Sequence, residues 1–239
     1  VAHSTSDNMS CTNLGVWRSI NQGVTWTLVL RGSGLEIEGD PNDLNRFYSV
    51  VAFTMTCSSL TTLGGIFTSA DGGATWTATA EPRPGQFTAE DELNNAKLTV
   101  SADTSRVWAA LLLNGQVNSI SYSDDRGTSW TVMDEVATLE SNGEQEGLNP
   151  REKPGGQGSV HFSLLASDAD RDIIYVGGDR QDFPFPNFIG AQDFSGRLFR
   201  GDATIVGTGA VPSPQWFHLT HSNSVAEIIG GGTASSSAP

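Results

Sequence analysis

Carboxyl groups are the side chains of this sequence best placed to do chemistry. Two carboxyls on opposite sides of a cleft can act as acid and base, or as acid and nucleophile, which is what glycoside hydrolysis requires. Asp179 follows the strand-like run Tyr175-Val176-Gly177-Gly178, and a second carboxyl could come from Asp91, Glu92 or Asp134. The alternative is that Asp179 forms a loop ion pair with Arg180, its neighbour in sequence. The sequence does not set the distance between any two of these groups.

A metal site is indicated less well than a carboxyl pair. Asp168, Asp170 and Asp172 have the spacing of the first ligands of a calcium loop, but Ile173 occupies the position where such loops need Gly, and Asp179 stands where they need Glu. These aspartates are better explained as a polar turn. We therefore predict no cofactor and no motif-based metal site, although so acidic a surface could still hold Ca²⁺.

The charge balance restricts the classes of partner. Asp and Glu number 27 against 13 Lys and Arg, which gives a net charge of −14. A nucleic-acid-binding protein needs a basic stripe, so nucleic acid is excluded as a partner. No apolar run reaches the ~20 residues of a membrane-spanning helix. An acidic, lysine-poor surface suits a secreted, marine or halophilic protein, and composition alone does not choose between these; we expect a secreted or cell-surface protein. Cys11 and Cys57 form either a disulfide or two buried thiols.

One short pattern recurs after 50 and 54 residues, a period that indicates repeated structural units. A short apolar run precedes each copy, and a run rich in Thr or Val follows. This order predicts a strand, a tight turn and a second strand, in which Asp or Asn bonds the turn backbone, Gly supplies positive φ, and Trp covers the hairpin. The copies are Ser19, Asn21, Gly23 and Trp26; Ser69, Asp71, Gly73 and Trp76; and Ser123, Asp125, Gly127 and Trp130.

This pattern resembles the Asp-box, or BNR repeat, of the sialidase-like β-propellers. The resemblance implies an all-β fold of four-stranded antiparallel blades, and it covers nearly the whole chain. A second repeated element, a polar turn before a strand that opens with an aromatic residue, supports the same register. We place the blades at residues 1–30, 35–80, 96–134 and 158–220, with a decayed box in the last of them. This makes three and a half to four blades of a single propeller, which further polypeptide would complete to a seven- or eight-bladed ring.

The resemblance also indicates where a ligand would bind. In this family the boxes mark the fold, and ligands bind at the opposite face, which here carries the long connections 53–64, 81–95, 134–158 and 179–195. The proline-stiffened segment 183–188 makes Phe185 and Phe188, with Arg180, the candidate contacts for a protein or glycan; packing over the central channel is the alternative. The spacing from Tyr175 to Asp179 resembles the strand-end aspartate of xyloglucanase-type propellers.

Three functions remain open on these grounds. The arginine signature of sialidases is absent, so sialidase activity is not expected. We favour a non-catalytic, secreted or surface-displayed propeller that binds protein or glycan through its long-loop face. The first alternative is a glycoside hydrolase that uses loop carboxylates. A further alternative is an assembly factor like the photosystem II propeller proteins, whose basic contact patch is not evident here.

Overall fold

All regular structure in the described part of the chain is β-strand. The computed structural model describes residues 2–4, 14–52, 64–83, 93–103, 106–113, 115–139, 145–148, 158, 160–180 and 196–220; for residues 2–4, 139, 145–147 and 179–180 the backbone alone is described. Within these ranges there is no α-helix. Accordingly, the described residues include no helix long and apolar enough to span a membrane.

The strands are short and follow one another closely, as expected for a chain of hairpins. In chain order they are β1 (Ala2–Ser4), β2 (Gly15–Arg18), β3 (Thr27–Arg31), β4 (Ser33–Asp40), β5 (Asp43–Ala52), β6 (Gly65–Ser69), β7 (Thr77–Ala78), β8 (Leu93–Val100), β9 (Val107–Leu113), β10 (Gln116–Ser123), β11 (Thr131–Val132), β12 (Ala137–Leu139), β13 (Gln145–Gly147), β14 (Ser163–Ala166), β15 (Ile173–Arg180), β16 (Gly196–Asp202) and β17 (Trp216–His218).

These strands form four antiparallel sheets and one isolated hairpin. The first sheet is β1-β2-β3, the second is β4-β5-β6-β7, the third is β8-β9-β10-β11, the fourth is β14-β15-β16-β17, and β12 pairs with β13. The prediction of four-stranded antiparallel sheets is confirmed for the last three sheets. Two features were not expected: β1 adds a third strand to the first sheet, and the hairpin lies inside the predicted connection 134–158.

Strand β9 explains how the sheets stack, because both of its faces are buried. Val107, Ala109 and Leu111 belong to the apolar core between the second and third sheets. Trp108 and Ala110 alternate with them and belong to the core between the third and fourth sheets. A strand covered on both faces has a continuous apolar sequence rather than an alternating one. Each fully buried aliphatic side chain contributes about 1.5–3 kcal/mol, so the third sheet is fixed by both of its neighbours.

The first strands of successive sheets lie closest to one another. β1 contacts β4, β4 contacts β8, and β8 contacts β14. Lys97 on β8 donates to Glu36 on β4 across 2.7 Å, and the Ala166 amide on β14 donates to the Thr99 hydroxyl on β8 across 3.4 Å. The sheets therefore fan out in chain order from a shared inner line, with β7, β11 and β17 on the outside.

Short turns gather at one end of the sheets, here named the turn end. Hydrogen bonds connect these turns between sheets: the Asn42 side chain donates to the Ala102 carbonyl at 3.0 Å, Arg18 Nε donates to the Gly72 carbonyl at 2.8 Å, and the Ala80 amide donates to the Gly127 carbonyl at 3.1 Å. Because the strands are antiparallel, the second strand of each sheet points to the opposite end, here named the loop end. The segments 53–64 and 181–195 leave the sheets there.

Candidate functional site

The three Ser-x-Asp turns form one hydrogen-bonded pattern at the turn end. In the second sheet the Ser69 hydroxyl donates to Asp71 Oδ1 at 2.8 Å and accepts the Gly73 amide at 3.0 Å. Asp71 Oδ1 also accepts the Thr75 amide at 2.9 Å. These bonds, the Thr75 hydroxyl first among them, hold the pKa of Asp71 far below its ordinary value. Its carboxylate is therefore ionised at neutral pH and accepts the hydrogen bonds that close the turn.

The other two turns repeat this arrangement. Gly127 donates its amide to the Ser123 hydroxyl at 2.7 Å, and the Ser129 amide and hydroxyl hold the pKa of Asp125 below its ordinary value. In the first sheet the amide of Gly23 donates to Ser19 at 2.8 Å. Asn21 there accepts the Thr25 amide at 2.9 Å. Asn thus supplies the same acceptor without the charge.

The tryptophans that end these turns differ in burial. Trp130 packs against the core between the second and third sheets, and Trp76 is half-buried. Trp26 is 45% exposed, although its indole N–H donates to the Gly23 carbonyl at 2.9 Å. Trp26 therefore lies over its own turn, as expected, but it is more exposed than its two counterparts. Trp130 packs towards the sheet that precedes its own, and the described residues contain no sheet before the first.

Arg106 is the best-connected charged group at the turn end. Its side chain is 6% exposed and donates from Nε to Asp124 at 2.7 Å and from Nη1 to Asp172 at 2.7 Å. Its guanidinium lies 3.9 Å from the Tyr122 ring centroid, and Arg171 also donates to Asp124. This Arg106 knot joins the turns of the third and fourth sheets. Since every acid in it has a cationic partner, it is a structural cluster and not a vacant site.

Asp134 takes the part of a turn aspartate for the neighbouring sheet. Its Oδ2 accepts the Thr208 amide at 2.7 Å, the Gly209 amide at 3.1 Å and the Ser213 hydroxyl at 2.7 Å. Its backbone carbonyl accepts the Trp216 indole N–H at 2.8 Å. Partial burial alone would raise the pKa of Asp134, but these hydrogen bonds outweigh it and hold the pKa below its ordinary value. The decayed fourth box is thus stabilised by an acceptor from the third sheet.

The position of Asp134 separates it from Asp179. Its partners lie in the connection from β16 to β17 at the turn end, whereas Asp179 is the penultimate residue of β15, at the loop end. Trp216, which donates to the Asp134 carbonyl, is in register with Gly201 and Ile174. The five strand residues from there to Asp179, at ~3.3 Å each, span about 16 Å, beyond the ~5–9.5 Å between paired glycosidase carboxyls. For Asp179 and Arg180 the backbone alone is described, and Arg180 pairs with Gly196.

Several predicted site residues lie outside the described residues. These are Asp91, Phe185 and Phe188, together with both cysteines of the predicted pair, Cys11 and Cys57. Among the residues that are described, no group of three or more His, Cys, Asp or Glu side chains is arranged to hold a metal ion. The Asp170 carboxylate accepts a hydrogen bond from the Asp172 backbone amide. The Asp172 carboxylate accepts one from the Arg106 guanidinium.

A carboxyl pair on the inner strand was missed in the sequence. Glu36 and Glu38 are two residues apart on β4 and therefore point to the same face. Burial and the charge of Glu36 raise the pKa of Glu38, while Lys97 pairs with Glu36 at 2.7 Å. The signal was present, because a Glu-x-Glu pattern between apolar residues places two acids on one side of a strand. A carboxyl with a raised pKa beside a second carboxyl is an arrangement that can supply a general acid.

The comparisons with known proteins give matches among solved structures. No protein-family model matches the sequence, and no curated protein matches it. Ten chains of solved structures match, among them the intramolecular trans-sialidase from Ruminococcus gnavus in complex with oseltamivir carboxylate, with a TM-score of 0.35 and 17% identity over 84% of this chain. This chain covers 38% of the length of that one. The described residues themselves form successive antiparallel β-sheets, three of them four-stranded, and contain no α-helix.

Proposed function

We propose that this chain belongs to an Asp-box β-propeller, secreted or displayed at the cell surface, that binds a protein or glycan at its loop end. The fold part rests on the three equivalent turns and on the fan of sheets around β1, β4, β8 and β14. The blades correspond to residues 1–30, 35–80, 96–134 and 158–220. Further polypeptide would continue them into a ring of seven or eight.

The observation that carries the binding proposal is the difference between the two ends of the sheets. At the turn end, the connections are short apart from 203–215, which is held by hydrogen bonds to Asp134, and polar groups of the turns bond to one another across neighbouring sheets. At the loop end, residues 53–64 and 181–195 join strands within single sheets. Connections of 12–15 residues or more are commonly functional. The second of them contains Phe185 and Phe188, aromatic residues of the kind that anchor protein and glycan contacts.

Binding without turnover is supported by the position of Asp134, one of the predicted carboxyls. Asp134 is engaged by three donors at the turn end. It therefore offers no partner to Asp179 for acid–base work. A binding site needs no such pair, and the aromatic segment with Arg180 supplies apolar area and one cation.

The test is a binding screen of the purified chain against a glycan array and immobilised surface proteins. Phe185→Ala together with Phe188→Ala should weaken the captured ligand at least ~10-fold, because aromatic anchors each contribute about 1–2 kcal/mol or more. Leu44→Ala is the matched control, since Leu44 is 86% exposed at the turn end, and it should bind as the wild type does. Equal binding by the double variant would rule out the loop end as the contact.

A glycoside hydrolase is the second candidate, and the inner-strand carboxyls favour it. Glu38, whose pKa is raised chiefly by burial, would hold the proton, and Glu36, which pairs with Lys97, would be the second carboxyl. Incubation with β-glucans and sialylated glycans, followed by chromatography of the products, tests this directly. Turnover that disappears in Glu38→Gln and persists in Asp179→Asn would assign the reaction to β4. Loss in Asp179→Asn instead would assign it to the loop end.

A further inference from the structure

One face of the fourth sheet carries a row of apolar side chains on the side away from the third sheet. Leu165 pairs directly with Tyr175, Tyr175 with Arg200, and Arg200 with Phe217, so the row crosses all four strands. Leu165 is 63% exposed, Tyr175 38% and Phe217 43%, and Leu198 beside them is 36% exposed. These five residues are here named the tail face.

The tail face matches the contact surface of the preceding sheets position by position. Tyr175 occupies the same register position on the second strand of its sheet as Tyr48 and Trp108 do on theirs. Tyr48 is 3% exposed because it packs in the core shared with the third sheet, and Trp108 is 0% exposed in the core shared with the fourth. Tyr175 is therefore a core residue of a contact whose other half is missing among the described residues.

The first sheet carries the complementary half of such a contact. Trp216, which ends the turn connection of the fourth sheet, is 6% exposed in the core shared with the third sheet. Trp130 packs likewise on the core shared with the second sheet. Trp26 occupies the equivalent place in the first sheet and is 45% exposed. The exposed surface around Trp26 is here named the head face. By this equivalence it corresponds to the surfaces around Trp130 and Trp216, which pack on the preceding sheet.

We propose that the tail face of one chain packs on the head face of a second copy, so that two chains close head-to-tail into a ring of eight sheets. The chain itself provides both halves of the contact, and both halves are exposed. A head-to-tail contact forms a closed assembly when its rotation closes, and a ring of eight sheets lies within the known range of propellers. A symmetric tail-to-tail pair would bring two Arg200 side chains towards each other. This inference rests on the ring proposed above, but its test does not involve ligand binding.

The experiment is sedimentation velocity of the 239-residue chain over a wide concentration range, and the expected species is a dimer. Tyr175→Asp on the tail face and Trp26→Asp on the head face should each raise the dimer dissociation constant about 30-fold or more, as loss of an interface anchor does. Leu44→Asp adds the same charge at a site on neither face and should leave it unchanged. Circular dichroism and the thermal midpoint show whether each variant is folded. If Tyr175→Asp does not fold, Leu165→Asp replaces it on the tail face, and if Trp26→Asp does not fold, Trp26→Gln replaces it on the head face.

Mixing the variants distinguishes head-to-tail contact from the alternatives. A tail variant and a head variant retain one intact contact between them, so their mixture should form heterodimers where each alone is monomeric. Dissociation by the tail variant only would indicate tail-to-tail pairing and overturn the proposal. A wild-type chain that stays monomeric at ~100 μM would overturn it as well and would assign the tail face to sheets from a longer polypeptide. Unchanged ligand binding in a monomeric variant would leave the proposed function in place.

Discussion

Replacing Arg106 tests whether the Arg106 knot joins the third and fourth sheets. Arg106→Met keeps the length of the side chain and removes its charge. It deletes the bonds to Asp124 and Asp172, each 2.7 Å long, and the stacking on Tyr122 at 3.9 Å. Hydrogen bonds to charged groups contribute ~1.5–3 kcal/mol each and a cation–π contact ~0.5–2 kcal/mol.

The exposure of the partners reduces this sum. Asp124 is 46% exposed and Asp172 is 29% exposed, so water can solvate both acids once the arginine is gone. The apolar stem of methionine retains part of the packing. We therefore expect the free energy of unfolding to fall by about 2–4 kcal/mol. This is somewhat less than the ~3–5 kcal/mol that breaking a fully buried ion pair costs.

The assay is urea unfolding at pH 7, followed by tryptophan fluorescence and far-UV circular dichroism. Arg83→Met provides the control, because Arg83 is exposed and its loss makes the same change in net charge. The midpoint should fall for Arg106→Met and stay within ~0.5 kcal/mol of the wild type for the control. A loss below ~1 kcal/mol for Arg106→Met would refute the view that this cluster fixes the two sheets.

Two further predictions concern the turns. Gly127 has φ +90°, and a Cβ there would lie 2.6 Å from Thr79 Cγ2, whereas a Cβ at Gly209 (φ +69°) meets nothing within 4 Å. Replacing either glycine by alanine should lower the free energy of unfolding by about 1–2 kcal/mol, because alanine is strained in the left-handed region. Gly127→Ala should lower it by ~1–3 kcal/mol more in urea unfolding, because its Cβ would also clash with Thr79. Equal losses for the two variants would show that the contact with Thr79 is not tight. Asp71→Asn places in the second sheet the residue that the first sheet has at this turn position, Asn21. The pKa of Asp71 is lower in the folded chain than in the unfolded chain, so the unfolded chain binds more protons in acid. The ionised carboxylate therefore stabilises the fold fully above the unfolded pKa. This contribution to the free energy of unfolding is lost as the pH falls towards the folded pKa. The thermal midpoint of the wild type should therefore fall towards that of the variant below about pH 4, and a difference independent of pH would contradict this.

The order of strands could be predicted from the sequence because each depends on local chemistry. The Ser-x-Asp turns close through bonds within a few residues, so Ser69 and Asp71 are informative by themselves. Strand β9 is indicated by its unbroken apolar run, since both its faces are covered.

The contacts between sheets could not be predicted, because they join residues far apart in sequence. The partners of Arg106 are 18 and 66 positions away, and those of Asp134 are 74 to 82 positions away. Asp134 was predicted to be a candidate for catalysis, since nothing in its local sequence indicates the loop that it holds. The exposure of Trp26 likewise depends on which residues pack beside its sheet, which no residue near Trp26 encodes.

The hydrogen bonds from the fourth sheet to Asp134 limit how this protein can be divided or recombined. Where each repeat supplies its own acceptor, a unit can be excised, duplicated or exchanged with little harm to the next one. Here the last unit depends on a carboxylate inherited from its predecessor, so the two can only be transplanted as a pair. A chimera whose junction lies a few residues before position 134 keeps Asp134 with the fourth sheet and preserves these bonds, whereas a junction just after position 134 separates Asp134 from its partners and destroys them.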